Sequence, residues 1–282
     1  MSTAAEARPR ARRLSWLHPP KPSDDGAMAL VDHLKELRYR VIVAVAAILV
    51  TMVVCLVFGD QILTIVLRPF YIAIDTYRAA NPEANVIISA EGLESPLLLR
   101  LKIALYAGLI ISCPVWLYQI WGFIAPGLLR NEKRYALAFL GSGIPLFIAG
   151  VLLGYWISPK GFAVMLGFTP NTPDLWNIQE VQKFLNFEMM MLMVFGLSFL
   201  LPVILIALNL VGVLKGATMG RFRVVAIFLC FVFGAVATPS TDPFSMCALA
   251  APTALMYIIS EVICRANDRR RAARGDEIVL PD

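Results

Sequence analysis

Two acidic residues set among lysines and arginines are the side chains best suited to bind a ligand. Glu36 lies in HLKELRYR, residues 33–40, and Glu132 lies in FIAPGLLRNEKR, residues 123–134. A carboxylate binds a guanidinium group in a two-point, charge-assisted geometry that an ammonium group cannot reproduce. Local charge balance alone would also explain an acid in a basic segment. The pattern therefore predicts either carboxylates open to a basic ligand or local ion pairs.

Motifs for covalent or nucleotide chemistry do not occur in the sequence. It has no P-loop, no dinucleotide-binding glycine pattern and no Ser-His-Asp arrangement, and its two histidines, His18 and His33, precede the first apolar stretch. The five cysteines lack metal-ligand spacing and lie in or beside apolar stretches, as small buried hydrophobes do. We therefore expect no enzymatic activity, no cofactor and no metal site.

Long apolar stretches must position the two acids. A bilayer core of about 30 Å needs about 20 apolar residues in a helix. Apolar residues make up 59% of the chain and the mean hydropathy is +0.71, which excludes an ordinary soluble domain. We predict an all-α membrane protein, a curved bundle of six transmembrane helices with short fifth and sixth helices. The predicted spans are residues 41–58, 96–120, 135–157, 184–211, 224–237 and 244–263.

The basic residues give the bundle an orientation. With both termini on one side of the membrane, nineteen of the twenty-five Lys and Arg residues lie on that side. The positive-inside rule then places both termini in the cytoplasm and loops 59–95 and 158–183 outside. The cytoplasmic segments account for most of the positive charge behind the net charge of +5. The basic tails should therefore contact anionic lipid headgroups, and nucleic-acid binding is not expected.

The chain divides into three parts. Residues 1–27 are predicted to form a disordered, basic cytoplasmic tail, residues 28–264 the transmembrane domain, and residues 265–282 a second cytoplasmic tail. Residues 28–40 have the spacing of an amphipathic helix that lies on the cytoplasmic surface and runs into the first span. Residues 62–74 are predicted to form an interfacial or cap helix bent at Pro69. Prolines inside the spans should bend them: Pro114, Pro145, Pro202 and Pro252.

Two glutamates fall within the predicted spans. Glu188 lies near the outer start of the fourth span, and Glu261 lies one turn before Arg265 near the inner end of the sixth. Unpaired charges in spans usually mark ion paths, whereas an i,i+4 pair with Arg265 would give Glu261 a structural role. The sequence favours the ion pair.

The two acidic motifs resemble the TatC family, which supplies the receptor and core subunit of the twin-arginine protein translocase. The pattern HLxELRxR precedes the first span, and FIAPGLxxxEKR follows the second. LYQIW at 117–121, FGLSF at 195–199 before Pro202, and Thr238-Pro239 with Asp242 and Ser245 are further similarities. The resemblance extends, in order, from about residue 28 to residue 264.

The resemblance implies that the chain binds export signal peptides with paired arginines through Glu36 and Glu132. It implies a site shaped by Phe123, Pro126, Gln119 and Arg38, a partner-docking edge at Thr238, Ser245 and Asp242, and a structural role for Pro69. The implied partners are single-span TatA- and TatB-type subunits within an oligomeric complex of the bacterial inner membrane. The complex would export folded proteins using the proton-motive force.

Two departures from the family pattern and two alternative functions remain at this point. Leu200 occupies a position where similar proteins commonly carry glutamate, and Lys133 one where arginine is usual.

A secondary transporter of small solutes is one alternative function, although the sequence shows no midplane relay of acids and no inverted repeat. A scaffold without signal recognition is the other. The hydroxyls of Thr238 and Ser245 could equally bond their own backbone.

Overall fold

Helices form most of the computed structural model, which describes residues 30–82, 86–89, 95–124, 132–168, 177–237 and 243–274. In chain order the elements are α1 (Leu30–Val57), α2 (Gly59–Ala80), β1 (Val86–Ser89), α3 (Ser95–Ile111), α4 (Cys113–Ile124), α5 (Glu132–Gly167), β2 (Asn177–Glu180), α6 (Val181–Ser198), α7 (Leu201–Val211), α8 (Gly216–Arg221), α9 (Arg223–Ala237) and α10 (Pro243–Arg274).

The described residues contain four to five candidate membrane spans. Four are long and apolar enough as they stand: His33–Val57, Phe139–Gly167, Val181–Leu210 and Met246–Ala273. The pair α3 and α4 makes a fifth if the two bent helices count as one span. Helix α9 has 15 residues and is too short for the same criterion, in keeping with the predicted short fifth span. Six spans and cytoplasmic termini stay predictions.

Proline explains the break between α3 and α4, as predicted. The two helices meet at Ser112 with a bend of 59°, and Pro114 lies in the first turn of α4. Proline cannot donate a backbone hydrogen bond and clashes with the preceding turn. At the break, the indole nitrogen of Trp116 donates to the carbonyl oxygen of Leu109 at 2.9 Å. Pro202 similarly lies in the first turn of α7, whereas Pro145 and Pro252 lie inside α5 and α10 without ending them.

The sixth helix is longer than predicted. Helix α10 has 32 residues and continues through Arg274, so the prediction of a short sixth helix, ending with the apolar stretch at 263, was wrong. Its polar end is held by contacts with the end of α7. Asp268 accepts a hydrogen bond from the amide of Asn209 at 2.8 Å, and Arg271 donates to the carbonyl oxygen of Leu210 at 2.5 Å. These bonds keep the chain helical beyond the apolar segment.

The predicted helix before the first span agrees with the structure, whereas the predicted cap helix differs in extent. Residues 30–40 form the first turns of α1 and run directly into its apolar part, as predicted. The predicted cap helix is present as α2, which is longer than residues 62–74 and contains Pro69 within it. Pro69 is fully buried, and Phe70 beside it packs against Phe162 and Phe184 with ring centroids 5.6 and 4.9 Å apart.

A short parallel pairing of β1 with β2 was not predicted. Val86 pairs with Asn177 and Ser89 with Glu180, which brings two long connections together. We call this end of the bundle the strand end. Helices α6 and α7 run from β2 to the opposite end, where α7 meets the polar part of α10. We call that opposite end, which also holds His33 and Phe123, the tail end.

Candidate functional site

The carboxylate of Glu36 lies against its own helix neighbour Arg40. Both the Nε and the Nη2 of Arg40 donate to Oε1 of Glu36, at 2.9 and 2.5 Å. The Glu36 side chain is only 4% exposed, and its Oε2 is buried with no hydrogen-bond partner among the residues that the structure describes. One of the two acids predicted to bind a ligand therefore forms a local ion pair and keeps one unsatisfied oxygen.

Helix α4 forms the other wall of this site. The ring of Phe123 stacks on His33 with centroids 4.4 Å apart, which joins the end of α4 to the start of α1. A methyl group on Gly122 would overlap the guanidinium of Arg40 and would lie 2.7 Å from its Cζ. Gly122 thus leaves room for a guanidinium beside Glu36. We call the space bounded by Glu36 and Gly122 the guanidinium seat.

The remaining predicted binding residues are only partly described. Gln119 is half-buried in α4, and the side chain of Arg38 is exposed on α1. Pro126 lies outside the described residues. Glu132 is the first residue of α5, but its side chain lies outside the described part of the chain, so its distance to Glu36 stays open.

The predicted docking residues also lie largely outside the described chain. Thr238 and Asp242 fall between Ala237 and Pro243, outside the described residues. Ser245 belongs to the first turn of α10, although its side chain is not among those described. Whether its hydroxyl faces a partner or its own backbone therefore stays a prediction.

Glu261 joins α9 and α10 at the tail end through two arginines. Arg223 donates to both of its carboxylate oxygens, at 2.7 and 2.8 Å, and Arg265 lies 2.8 Å from Oε1. The i,i+4 pair with Arg265 was predicted from the sequence, whereas the pairing with Arg223, 38 residues away, was not. Glu261 thus has a structural role, and its two-oxygen contact contrasts with the one-oxygen contact at Glu36.

Glu188, in α6, is buried like Glu36 and Glu261. Its carboxylate is fully buried, and neither oxygen has a hydrogen-bond partner among the described residues. Sequence reasoning noted its place in the fourth span but could not show that it faces inward, since helical periodicity in an all-apolar segment marks no face.

An apolar cavity of about 300 Å³ lies among α4, α5, α7 and α10. Trp121, two residues before Phe123, lines it and stacks on Phe139 with ring centroids 4.6 Å apart.

The sequence matches the family described as Sec-independent protein translocase protein (TatC) over residues 32–252. The chain belongs to the TatC family. This matched range includes Glu36 and Glu132, and it ends inside α10. Membership explains the joint occurrence of both acidic motifs, and it favours protein transport over the small-solute transporter considered above. The protein is thus a multi-pass membrane protein of a protein-translocase family.

Relatives and solved structures agree with this TatC assignment. A TatC protein of Frankia casuarinae is 38% identical over 257 residues, covering 90% of this chain and 70% of the relative. A TatC protein of Xylanimonas cellulosilytica is 36% identical over 270 residues, covering 96% of this chain and 94% of the relative. A crystal structure of a protein described as the twin arginine translocase receptor TatC is 32% identical, with a TM-score of 0.69, covering 83% of this chain and 98% of that one.

Proposed function

We propose that this TatC protein is the signal-peptide receptor and assembly core of a twin-arginine translocase in the bacterial inner membrane. The observation that carries the proposal is the match of nearly the whole of a solved TatC receptor to this chain. The role is binding and not catalysis. The resemblance to the TatC family implies that the proton-motive force drives the movement of folded cargo.

The carboxylates of Glu36 and Glu132 bind the paired arginines of the signal. Glu36 offers an oxygen with no internal partner beside the aromatic pair His33 and Phe123. Guanidinium groups can bind both oxygens of a carboxylate at once, whereas lysine offers a single point charge. Preference for arginine over lysine in the signal follows from this geometry.

Signal-peptide affinity measured in a mutant cycle tests the receptor role. Glu36→Gln and Glu132→Gln are each compared with the unchanged chain, using a synthetic signal peptide with two arginines and its two-lysine version. Each change should weaken binding of the arginine peptide about ten- to a hundredfold, because a charge-assisted hydrogen bond is worth about 1.5–3 kcal/mol. Binding of the lysine peptide should fall much less. If the effects of protein and peptide changes simply add, the two glutamates do not contact the arginines.

Single-span partners of the TatA and TatB type dock along α9 and the start of α10, at Thr238, Asp242 and Ser245. Hydroxyls near the ends of helices can bond an incoming helix, for about 0.6 kcal/mol each. A photo-crosslinker placed at Ser245 should capture a single-span partner in membranes, and one at the exposed Val50 of α1 serves as the comparison. Capture at Val50 alone would show that the partner does not dock at the edge formed by Thr238, Asp242 and Ser245.

A further inference from the structure

The contact between Glu36 and Arg40 is an incomplete version of the contact that a signal arginine would make. Arg40 is four residues from Glu36 on the same helix, and both of its donor nitrogens reach the same oxygen. The pair Arg223 and Glu261, on two different helices, uses both oxygens. A guanidinium that arrives from outside the helix is free to adopt this second geometry, whereas Arg40 leaves Oε2 unsatisfied.

The unsatisfied oxygen makes replacement of Arg40 favourable. A buried acceptor without a partner destabilises the state that contains it. An incoming guanidinium that binds both oxygens would remove this cost while restoring the charge balance. An ammonium group that reaches one oxygen would exchange one incomplete contact for another. The net gain is therefore greatest for arginine.

We infer that Arg40 occupies the guanidinium seat in the free protein, and that the first signal-peptide arginine to reach the seat must displace Arg40. This inference rests on the proposed receptor function. Gly122 is part of the seat because a side chain there would take the space of the guanidinium. In the free protein Arg40 neutralises Glu36, and in the complex it turns away from the bundle while the signal arginine takes its place over Gly122.

Competition from Arg40 predicts a gain of affinity when it is removed. In full-length chain in membrane vesicles, Arg40→Gln should raise the affinity for the two-arginine peptide about tenfold, because binding no longer has to break the internal contact. The gain for the two-lysine peptide should be smaller. In a chain that also carries Glu36→Gln, the same change should have no effect. Lys215→Gln removes one exposed charge from the segment between α7 and α8, and it should affect both peptides equally.

Filling the seat should cancel the gain. The double variant Arg40→Gln, Gly122→Ala should bind the two-arginine peptide no better than the unchanged chain. The methyl group of the new alanine would lie where the guanidinium of Arg40 now lies, and it would hinder an incoming guanidinium in the same way. If Arg40→Gln leaves Glu36 too poorly compensated to fold, Arg40→Lys keeps the charge and should show a smaller gain. The melting temperature of each variant separates loss of fold from loss of binding.

The outcomes distinguish the two proposals. One outcome is that Glu36→Gln weakens binding of the two-arginine peptide while neither Arg40→Gln nor Arg40→Lys strengthens it. In that case Arg40 does not compete with the peptide, and the inference fails while the receptor role stands. A gain that persists after Gly122→Ala would also overturn it, because the peptide would then bind elsewhere. If Glu36→Gln and Glu132→Gln change neither peptide, the receptor assignment itself fails.

Discussion

The hydroxyl oxygen of Thr51 in α1 lies 2.9 Å from the carbonyl oxygen of Gly108 in α3. The backbones approach closely here, since a Cβ on Gly108 would lie 2.8 Å from the amide nitrogen of Met52. Small residues allow such close crossings in membranes, where packing and interhelical hydrogen bonds hold helices together. This crossing fixes α1 against α3, the helix that leads into α4 and Phe123.

Gly108→Ala should therefore destabilise the bundle by about 1–3 kcal/mol, because the added methyl group meets backbone atoms that cannot move aside. Thermal unfolding in detergent measures the loss. Gly141→Ala in α5 is the matched control, since nothing lies within 4 Å of an added Cβ there. Equal melting temperatures for the two variants would show that the crossing is not tight.

Glu261→Gln should lower the melting temperature, because two arginines lose the carboxylate that joins α9 to α10. Breaking a buried ion pair costs about 3–5 kcal/mol in general, and the loss here should be smaller since both arginines reach solvent. Arg223→Gln should cost less than Glu261→Gln, as Arg265 still pairs with the acid. A larger effect of Arg223→Gln would contradict this order.

Glu188→Gln should leave the melting temperature unchanged or raise it slightly, in contrast to the same change at Glu261. The carboxyl group of Glu188 is buried with no hydrogen-bond partner among the described residues, and an amide of equal size cannot ionise there. Glu188→Ala should destabilise, because it leaves a cavity in the core between α5 and α6. If glutamine proves as harmful as alanine, the carboxylate makes a contact that stabilises the fold.

Cysteine labelling in intact cells tests the topology. In a chain without its five native cysteines, single cysteines at Asn81 and Asn171 should react with an impermeant thiol reagent, because the distribution of basic residues places both outside. A cysteine at Asn131 should react only after the cells are opened. The reverse pattern would place both termini outside.

Hydropathy predicted the long apolar helices better than the residues at which the helices end. The bend near Pro114 and the short α9 could be predicted, since both follow from local sequence. The extension of α10 could not, because Asp268 and Arg271 are stabilised by α7, far away in the chain. Charge pattern met the same limit at the site: it identified Glu36 as an acid among basic residues, but not that Arg40 already binds it.

The pairing of Val86 with Asn177 has a consequence for the order of assembly. The connection between the two strands contains α3, α4 and α5, so β2 emerges from the ribosome only after these helices have been synthesised. Contacts between residues so distant in sequence form slowly, because the intervening loop must close first. The strand pair can therefore close only as a late step of biogenesis, and a chain arrested before Asn177 would leave the edge of β1 open to other strands.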